Sequence, residues 1–217
     1  VTGYRVKEVF HTLQGEGMRA GRSAVFCRFA GCNLWSGREE QRSAAVCRFC
    51  DTDFLGTDGP GGGTFAGADE LAEAVRACWV GAVGEDPSRS DGYVVCTGGE
   101  PSLQLDEPAV TALHAAGFEV AVETNGTRPL PEGIDWVCVS PKAGSEVVVR
   151  GGDELKLVYE QPGAPPELFE GWSFAHLVLQ PMDGPERSRH TAAAVEYCRR
   201  HPRWRLGLQL HKYLGIP

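Results

Sequence analysis

Three cysteines spaced Cys32-x14-Cys47-x2-Cys50, followed directly by Asp51-Thr52-Asp53, are the residues of this chain best suited to chemistry. Three thiolates from one loop can hold three irons of a cubane cluster and leave the fourth iron open to a ligand. The Cys-x-x-Cys unit is equally a zinc half-site. A structural zinc closes a tetrahedron of four ligands, for which His11 is a candidate fourth. Spacing alone leaves both chemistries open.

Other candidates sit beside strand-like runs. Gly98 and Gly99, within Thr97-Gly98-Gly99-Glu100-Pro101, either end a strand or let the backbone approach a ligand closely. Thr52 can cap a turn or present its hydroxyl to a metal. Gln14-Gly15-Glu16-Gly17 follows the first strand pattern and reads as an ordinary loop. Arg28, within a strand pattern, reads as a surface strand residue. Asn125 and Ser140 are turn-forming types. Cys27, Cys78, Cys96, Cys138 and Cys198 lie among apolar residues and read as small core hydrophobes.

These side chains need a scaffold. Strand patterns occur at 5–10, 24–29, 93–97, 119–123, 136–140, 154–159, 174–179 and 206–210. Helical periodicity marks 69–80, 106–116 and 188–201, and none of that length appears between 140 and 154. Strand, helix, strand alternation implies parallel pairing with right-handed crossovers, here with too few helices for a full barrel. The cysteine loop, Gly98, Asn125 and Ser140 all follow strand ends, where barrel sites form. Residues 56–67, with Gly-Pro-Gly-Gly-Gly, read as a flexible surface loop lacking the Gly-Lys-Ser/Thr of a phosphate cradle.

A length of 217 residues with 42% hydrophobic content suits one domain spanning 1–217. No apolar run approaches the ~20 residues of a membrane span, and the opening Val1-Thr2-Gly3-Tyr4 lacks a leader's apolar core. A cytoplasmic setting with free or metal-bound cysteines is expected. The net charge of −8 argues against a nucleic-acid partner.

Together with Gly31-Cys32-Asn33-Leu34-Trp35, Glu123-Thr124-Asn125-Gly126-Thr127, Ser140-Pro141-Lys142, Gln180-Pro181-Met182-Asp183 and Leu210-His211-Lys212-Tyr213, these motifs resemble the 7-carboxy-7-deazaguanine synthases, radical S-adenosylmethionine (SAM) enzymes. The resemblance runs from residue 4 onward. It implies an α/β fold, a partial, shortened (β/α) radical SAM barrel. It also implies ring contraction of 6-carboxy-5,6,7,8-tetrahydropterin with loss of ammonia, in 7-deazapurine (queuosine) biosynthesis. By the same resemblance Cys32, Cys47 and Cys50 hold a [4Fe-4S] cluster and Thr52 binds Mg²⁺. Asp51, Gly98, Gly99, Glu100, Glu123, Asn125, Ser140, Lys142 and Gln180 would contact SAM. Gln14, Glu16, Arg28, Thr97, His211, Lys212 and the Pro217 carboxylate would contact the pterin. A homodimer and an external flavodoxin- or ferredoxin-like electron donor are implied as partners.

Most radical SAM enzymes space these cysteines Cys-x3-Cys-x2-Cys, and this chain has Ser36 where the middle ligand would fall. Residues 36–45 instead form an insertion. Ser36 and Glu39 make a capping-box pattern ahead of good helix formers, which predicts an inserted helix. Two alternatives stand beside the synthase. A glycyl-radical activating enzyme would use the same cluster on a protein partner, and a zinc-bound interaction module would use the thiols structurally.

Overall fold

In a computed structural model, residues 3–84 and 92–217 are described; Val1 and Thr2, part of the opening read as leader-free, lie outside them. The described residues fold into one nine-stranded sheet flanked by helices. In chain order its elements are β1 (Tyr4–Leu13), β2 (Ser23–Phe29), β3 (Gly63–Phe65), α1 (Ala68–Val83), β4 (Gly92–Gly98), α2 (Glu107–Ala115), β5 (Phe118–Thr124), β6 (Trp136–Val139), β7 (Gly151–Tyr159), β8 (Ser173–Pro181), α3 (Arg187–Arg200), β9 (Trp204–Leu206) and α4 (Leu210–Leu214). The spatial order is β3-β1-β2-β4-β5-β6-β7-β8-β9. Pairing is parallel from β2 through β9, while β1 runs antiparallel to both β2 and β3. The ends do not join, so the sheet is a partial barrel.

Strand alternation gives this sheet two different faces. Val25, Cys27 and Phe29 of β2, Val94 and Cys96 of β4, and Val120 and Val122 of β5 pack against α1 and α2 in the larger core. Leu155, Leu157, Leu177 and Leu179 build a second core that includes Tyr197 and Cys198 of α3. On the opposite face, Ala24, Tyr93, Val95 and Ala121 form a small plug with Phe26 and Trp136. The Arg19 guanidinium lies 4.2 Å from the Trp136 ring centre and that of Arg22 lies 4.0 Å from Tyr93. Both arginines pair with Glu119. This layer closes one end of the partial barrel and leaves the carboxyl ends of the strands open.

Three local expectations are corrected. The inserted short helix is present as a 3₁₀ helix, Glu39–Ala44, but the expected capping box is not: Arg38 stands at its cap and no side-chain capping bond forms. Ser36 Oγ accepts from the Arg38 N–H at 3.3 Å, and the Glu39 carboxylate pairs with Arg42 instead of reaching back. The glycine-rich stretch is not free: it contains β3, and Pro60 O accepts from Val9 N–H at 2.8 Å. A Cβ on Gly62 would lie 2.1 Å from Lys7 O, so glycine permits this close approach to β1. Finally, residues 206–210 are not a strand. β9 ends at Leu206, Gly207 N–H bonds Leu179 O, and Leu210 N–H bonds Gly15 O as the chain turns into α4. Loss of the β8 partner beyond this point outweighs the period-two leucines at 206, 208 and 210.

Candidate active site at the carboxyl ends of the strands

A cavity of about 360 Å³ opens at the carboxyl ends of β2 and β4–β8. Its floor is an ion-pair network. Lys156, on β7 with a side chain only 5% exposed, donates at 2.6 Å to Glu16 and at 2.7 Å to Glu123 on β5. Gln14 ties the Glu123 carboxylate to the Glu16 backbone, donating from Nε2 to Glu123 at 2.9 Å and accepting the Glu16 backbone N–H at 3.0 Å. Gln209 donates to the other oxygen of Glu16 at 2.9 Å. Burial alone would raise the Glu16 pKa, but the Lys156 charge and hydrogen bonds from Lys156, Gln209 and Gln180 bring it to about 2. Burial likewise disfavours the Lys156 ammonium, yet Glu123 and Glu16 hold its pKa well above the usual lysine value.

Beside this network lies Glu154, 2% exposed, with Oε2 accepting the Met18 N–H at 3.0 Å and Oε1 without a partner among the described residues. Burial raises its pKa, opposed in part by Lys156. Lys156 and Glu154 were not singled out from the sequence. Their signal is two charged residues at alternate positions in a strand of a parallel sheet, where near-continuous apolar residues are the rule.

One wall belongs to β1 and β2. Glu8 and Arg28 face each other across the two strands, and Arg28 Nε donates to Glu8 Oε1 at 2.7 Å. Among the described residues, the two terminal nitrogens of Arg28 have no hydrogen-bond partner. Phe10 and Phe26 stack beneath, centroids 5.5 Å apart.

The cysteine loop forms the facing wall. Cys47, Cys50, Asp51 and Thr52 line the cavity, with Cys32 at its margin. A hydrogen bond from Cys47 brings Cys50 to about 6 against the effect of burial, while that bond and burial push Cys47 up. Burial also raises Cys32. Arg42 braces the loop from the insertion, donating from Nη1 to the carbonyls of Arg48 and Cys50 at 3.0 Å while its guanidinium lies 4.1 Å from the Trp35 ring centre. Among the described residues, no three His, Cys, Asp or Glu side chains are grouped to hold a metal ion as they stand. His11 lies against Trp79 of α1, outside the cavity lining, so it is not the fourth partner of these thiols.

The strand ends complete the site. Thr97, Gly98, Gly99, Asn125, Ser140, Lys142 and Gln180 line the cavity, and Gln180 Oε1 is buried without a partner among the described residues. Lys142 folds back onto Ser140, to Oγ at 2.6 Å and O at 2.9 Å. A Cβ on Gly99 would lie 2.1 Å from Gly31 O, so this glycine lets the cysteine loop pack on the end of β4. Glu100 departs from the expected ligand contact. It is fully buried and accepts from Ser102 N and Oγ, Thr124 Oγ1 and Asn125 N, outside the cavity lining. It fixes the Asn125 turn and has no exposed edge for a ligand.

α4 and the following residues cross the mouth. Lys212 donates to Asp51 on the cysteine loop and, at 2.7 Å, to Asp183 after β8. His211 lies beside Gly15, and Pro217 O accepts from Thr12 Oγ1 at 2.9 Å. Thus all the sequence-derived candidates except Glu100, Cys32 and His11 line one cavity, although His211 and Lys212 arrive on a helix instead of a strand end.

An open α/β partial barrel with a polar, ion-paired cavity walled by a three-cysteine loop is the class that fold and site define. No protein-family model matches the chain. It is 64% identical over 214 residues to a 7-carboxy-7-deazaguanine synthase of Bordetella pertussis, covering 99% of both chains. It is 41% identical over 212 residues to the same-named protein of Bacteroides thetaiotaomicron, covering 98% of each. The crystal structure of QueE from Escherichia coli matches with a TM-score of 0.70 at 28% identity, covering 97% of this chain and 96% of that one. The chain belongs to the 7-carboxy-7-deazaguanine synthase family.

Proposed function

We propose that this chain is a radical SAM lyase that contracts 6-carboxy-5,6,7,8-tetrahydropterin to 7-carboxy-7-deazaguanine with loss of ammonia, within 7-deazapurine (queuosine) biosynthesis. The observation that carries the reading is the gathering of the Cys47–Cys50 wall, the Arg28 fork and the Glu16 carboxylate around one cavity. Family membership supports it independently.

The donors suit the implied groups. Cys32, Cys47 and Cys50 would hold three irons, and a set of three thiols without a histidine beside it suits an open cluster better than a closed zinc site. Thr52 would offer its hydroxyl to Mg²⁺, a weak ligand that depends on substrate oxygens for the rest of the shell. The unpartnered Gln180 Oε1, with Gly99, Asn125 and Ser140, gives SAM a polar cradle. When bound, the [4Fe-4S] cluster and SAM supply one-electron hydrogen-abstraction chemistry, with the protein providing binding and orientation.

The chain's own residues then position the pterin. The terminal nitrogens of Arg28 receive its carboxylate, because Glu8 holds only the Nε edge. Glu16, whose carboxylate already accepts from Lys156, Gln209 and Gln180, offers its remaining acceptor capacity to ring N–H groups. The aromatic plug below the floor excludes water from that end. An external one-electron donor and a homodimer belong to the same proposal.

Anaerobic purification with iron, sulfide and zinc analysis, followed by incubation with SAM, reductant and the pterin, tests this reading. The expected result is an iron-sulfur protein that releases the deazaguanine acid without net consumption of SAM. Stoichiometric zinc without iron would favour the interaction-module alternative, and SAM consumption on a protein partner would favour the activating-enzyme alternative.

A further inference from the structure

We propose that Lys156 is a positioning residue that sets the ring-edge specificity of the site, by fixing the charge and direction of Glu16. The inference rests on the pterin reading above and goes beyond it, because Lys156 itself meets carboxylates and not the ligand.

Glu16, Glu123 and Glu154 approach one another at the cavity floor, and Lys156 is the cation placed among them. Three carboxylates in a buried site cannot all stay ionised without a counter-charge, since like charges and burial each favour protonation. Lys156 reaches Oε2 of Glu16 at 2.6 Å, and Gln209 takes Oε1 at 2.9 Å. The carboxylate is therefore held in one orientation, an acceptor with no proton of its own. Such a group matches a ring edge that presents two donors, an exocyclic amine and a neighbouring N–H. It repels an edge in which a carbonyl replaces the amine. Without the Lys156 charge, Glu16 sits buried beside Glu123 and Glu154 and takes up a proton. A protonated Glu16 can donate to a carbonyl, and the distinction between the two edges is lost. Glu123 is held by the same ammonium at 2.7 Å, so one side chain aligns groups from β5 and from the loop after β1.

The test compares two stable probes that differ only at this edge, 6-carboxypterin with its 2-amino group and 6-carboxylumazine with a 2-oxo group. Binding to the reconstituted full-length protein is read by equilibrium dialysis, independently of turnover. The parent is expected to prefer 6-carboxypterin by about a hundredfold, as a site built to pair a donor rejects an analogue lacking it. Lys156→Met is expected to bring that preference to within about threefold while iron content is unchanged. Lys156→Gln, which keeps a donor but no charge, guards against misfolding of the methionine variant and carries the same expectation. Glu16→Gln should lose the preference too, and combining it with Lys156→Gln should add nothing, because the lysine acts through the glutamate. A variant that lacks the Lys156 charge yet keeps the parent's preference overturns the role of Lys156 while leaving the pterin reading intact. A parent without any preference overturns the pterin reading, and the inference falls with it.

Discussion

Arg28 donates its Nε to Glu8 directly across the β1–β2 pair at 2.7 Å, with its terminal nitrogens left without a partner among the described residues. The fork is thus aimed by one carboxylate and free to receive another. Arg28→Lys keeps the charge but loses the planar pair of donors. We expect it to raise the KM for the pterin by about thirtyfold, consistent with ~2 kcal/mol for a charged hydrogen-bonded pair, with kcat changed far less. Steady-state kinetics on the cluster-loaded protein measure the split.

Glu100 should behave as framework. Its two oxygens accept four hydrogen bonds in a fully buried position and fix the Ser102 and Asn125 backbones. Glu100→Gln puts an amide donor against existing donors, and should cost about 2–4 kcal/mol of unfolding free energy. Denaturant titration of the apoprotein would read this, and an unchanged midpoint would return Glu100 to the ligand contacts.

The Arg42 brace makes the insertion part of the cysteine wall. Removing the guanidinium in Arg42→Ala leaves the Arg48 and Cys50 carbonyls without this donor and uncovers Trp35. Iron retained after gel filtration should fall by about half or more, since such hydrogen bonds to a charged group contribute ~1.5–3 kcal/mol. Arg38→Ala, without that brace, should retain iron as the parent does.

Two carboxylates at the floor should pull stability in opposite directions with pH. Glu16, lowered from 4.5 to about 2, contributes stability that is present above its unfolded value and lost as pH falls toward 2. Glu154 is raised by burial, so the native state holds its proton more tightly than the unfolded chain does. Its contribution declines as pH rises above 4.5 through the folded value. Glu154→Gln should therefore be neutral near pH 4 and gain stability relative to the parent as pH rises toward 8. Urea midpoints measured at both pH values check the sign.

Legibility followed the physics of each segment. The inner strands were readable because alternating or continuous apolar residues and flanking turns survive in a parallel sheet, and the site motifs follow those strands. The inserted helix was legible but its cap was not: Ser36 and Glu39 have capping-box types, whereas Glu39 pairs with Arg42 within the 3₁₀ helix. The leucines at 206, 208 and 210 kept a strand period after the sheet partner had ended. Lys156 went unremarked because no linear motif announces a charge balanced by residues 33 and 140 positions away. Only the closed geometry of β5, β7 and the loop after β1 reveals it.

The central claim is that the three-cysteine loop and the cavity beside it serve one reaction. Its most direct measurement is product analysis after anaerobic reconstitution, with 6-carboxy-5,6,7,8-tetrahydropterin, SAM, Mg²⁺ and a reductant, on the parent and on Cys47→Ala. The account predicts about four irons per parent chain, with 7-carboxy-7-deazaguanine and ammonia formed in equal amounts, and neither product from Cys47→Ala. A parent that binds iron but forms no deazaguanine, or a Cys47→Ala protein with full cluster and turnover, would contradict it.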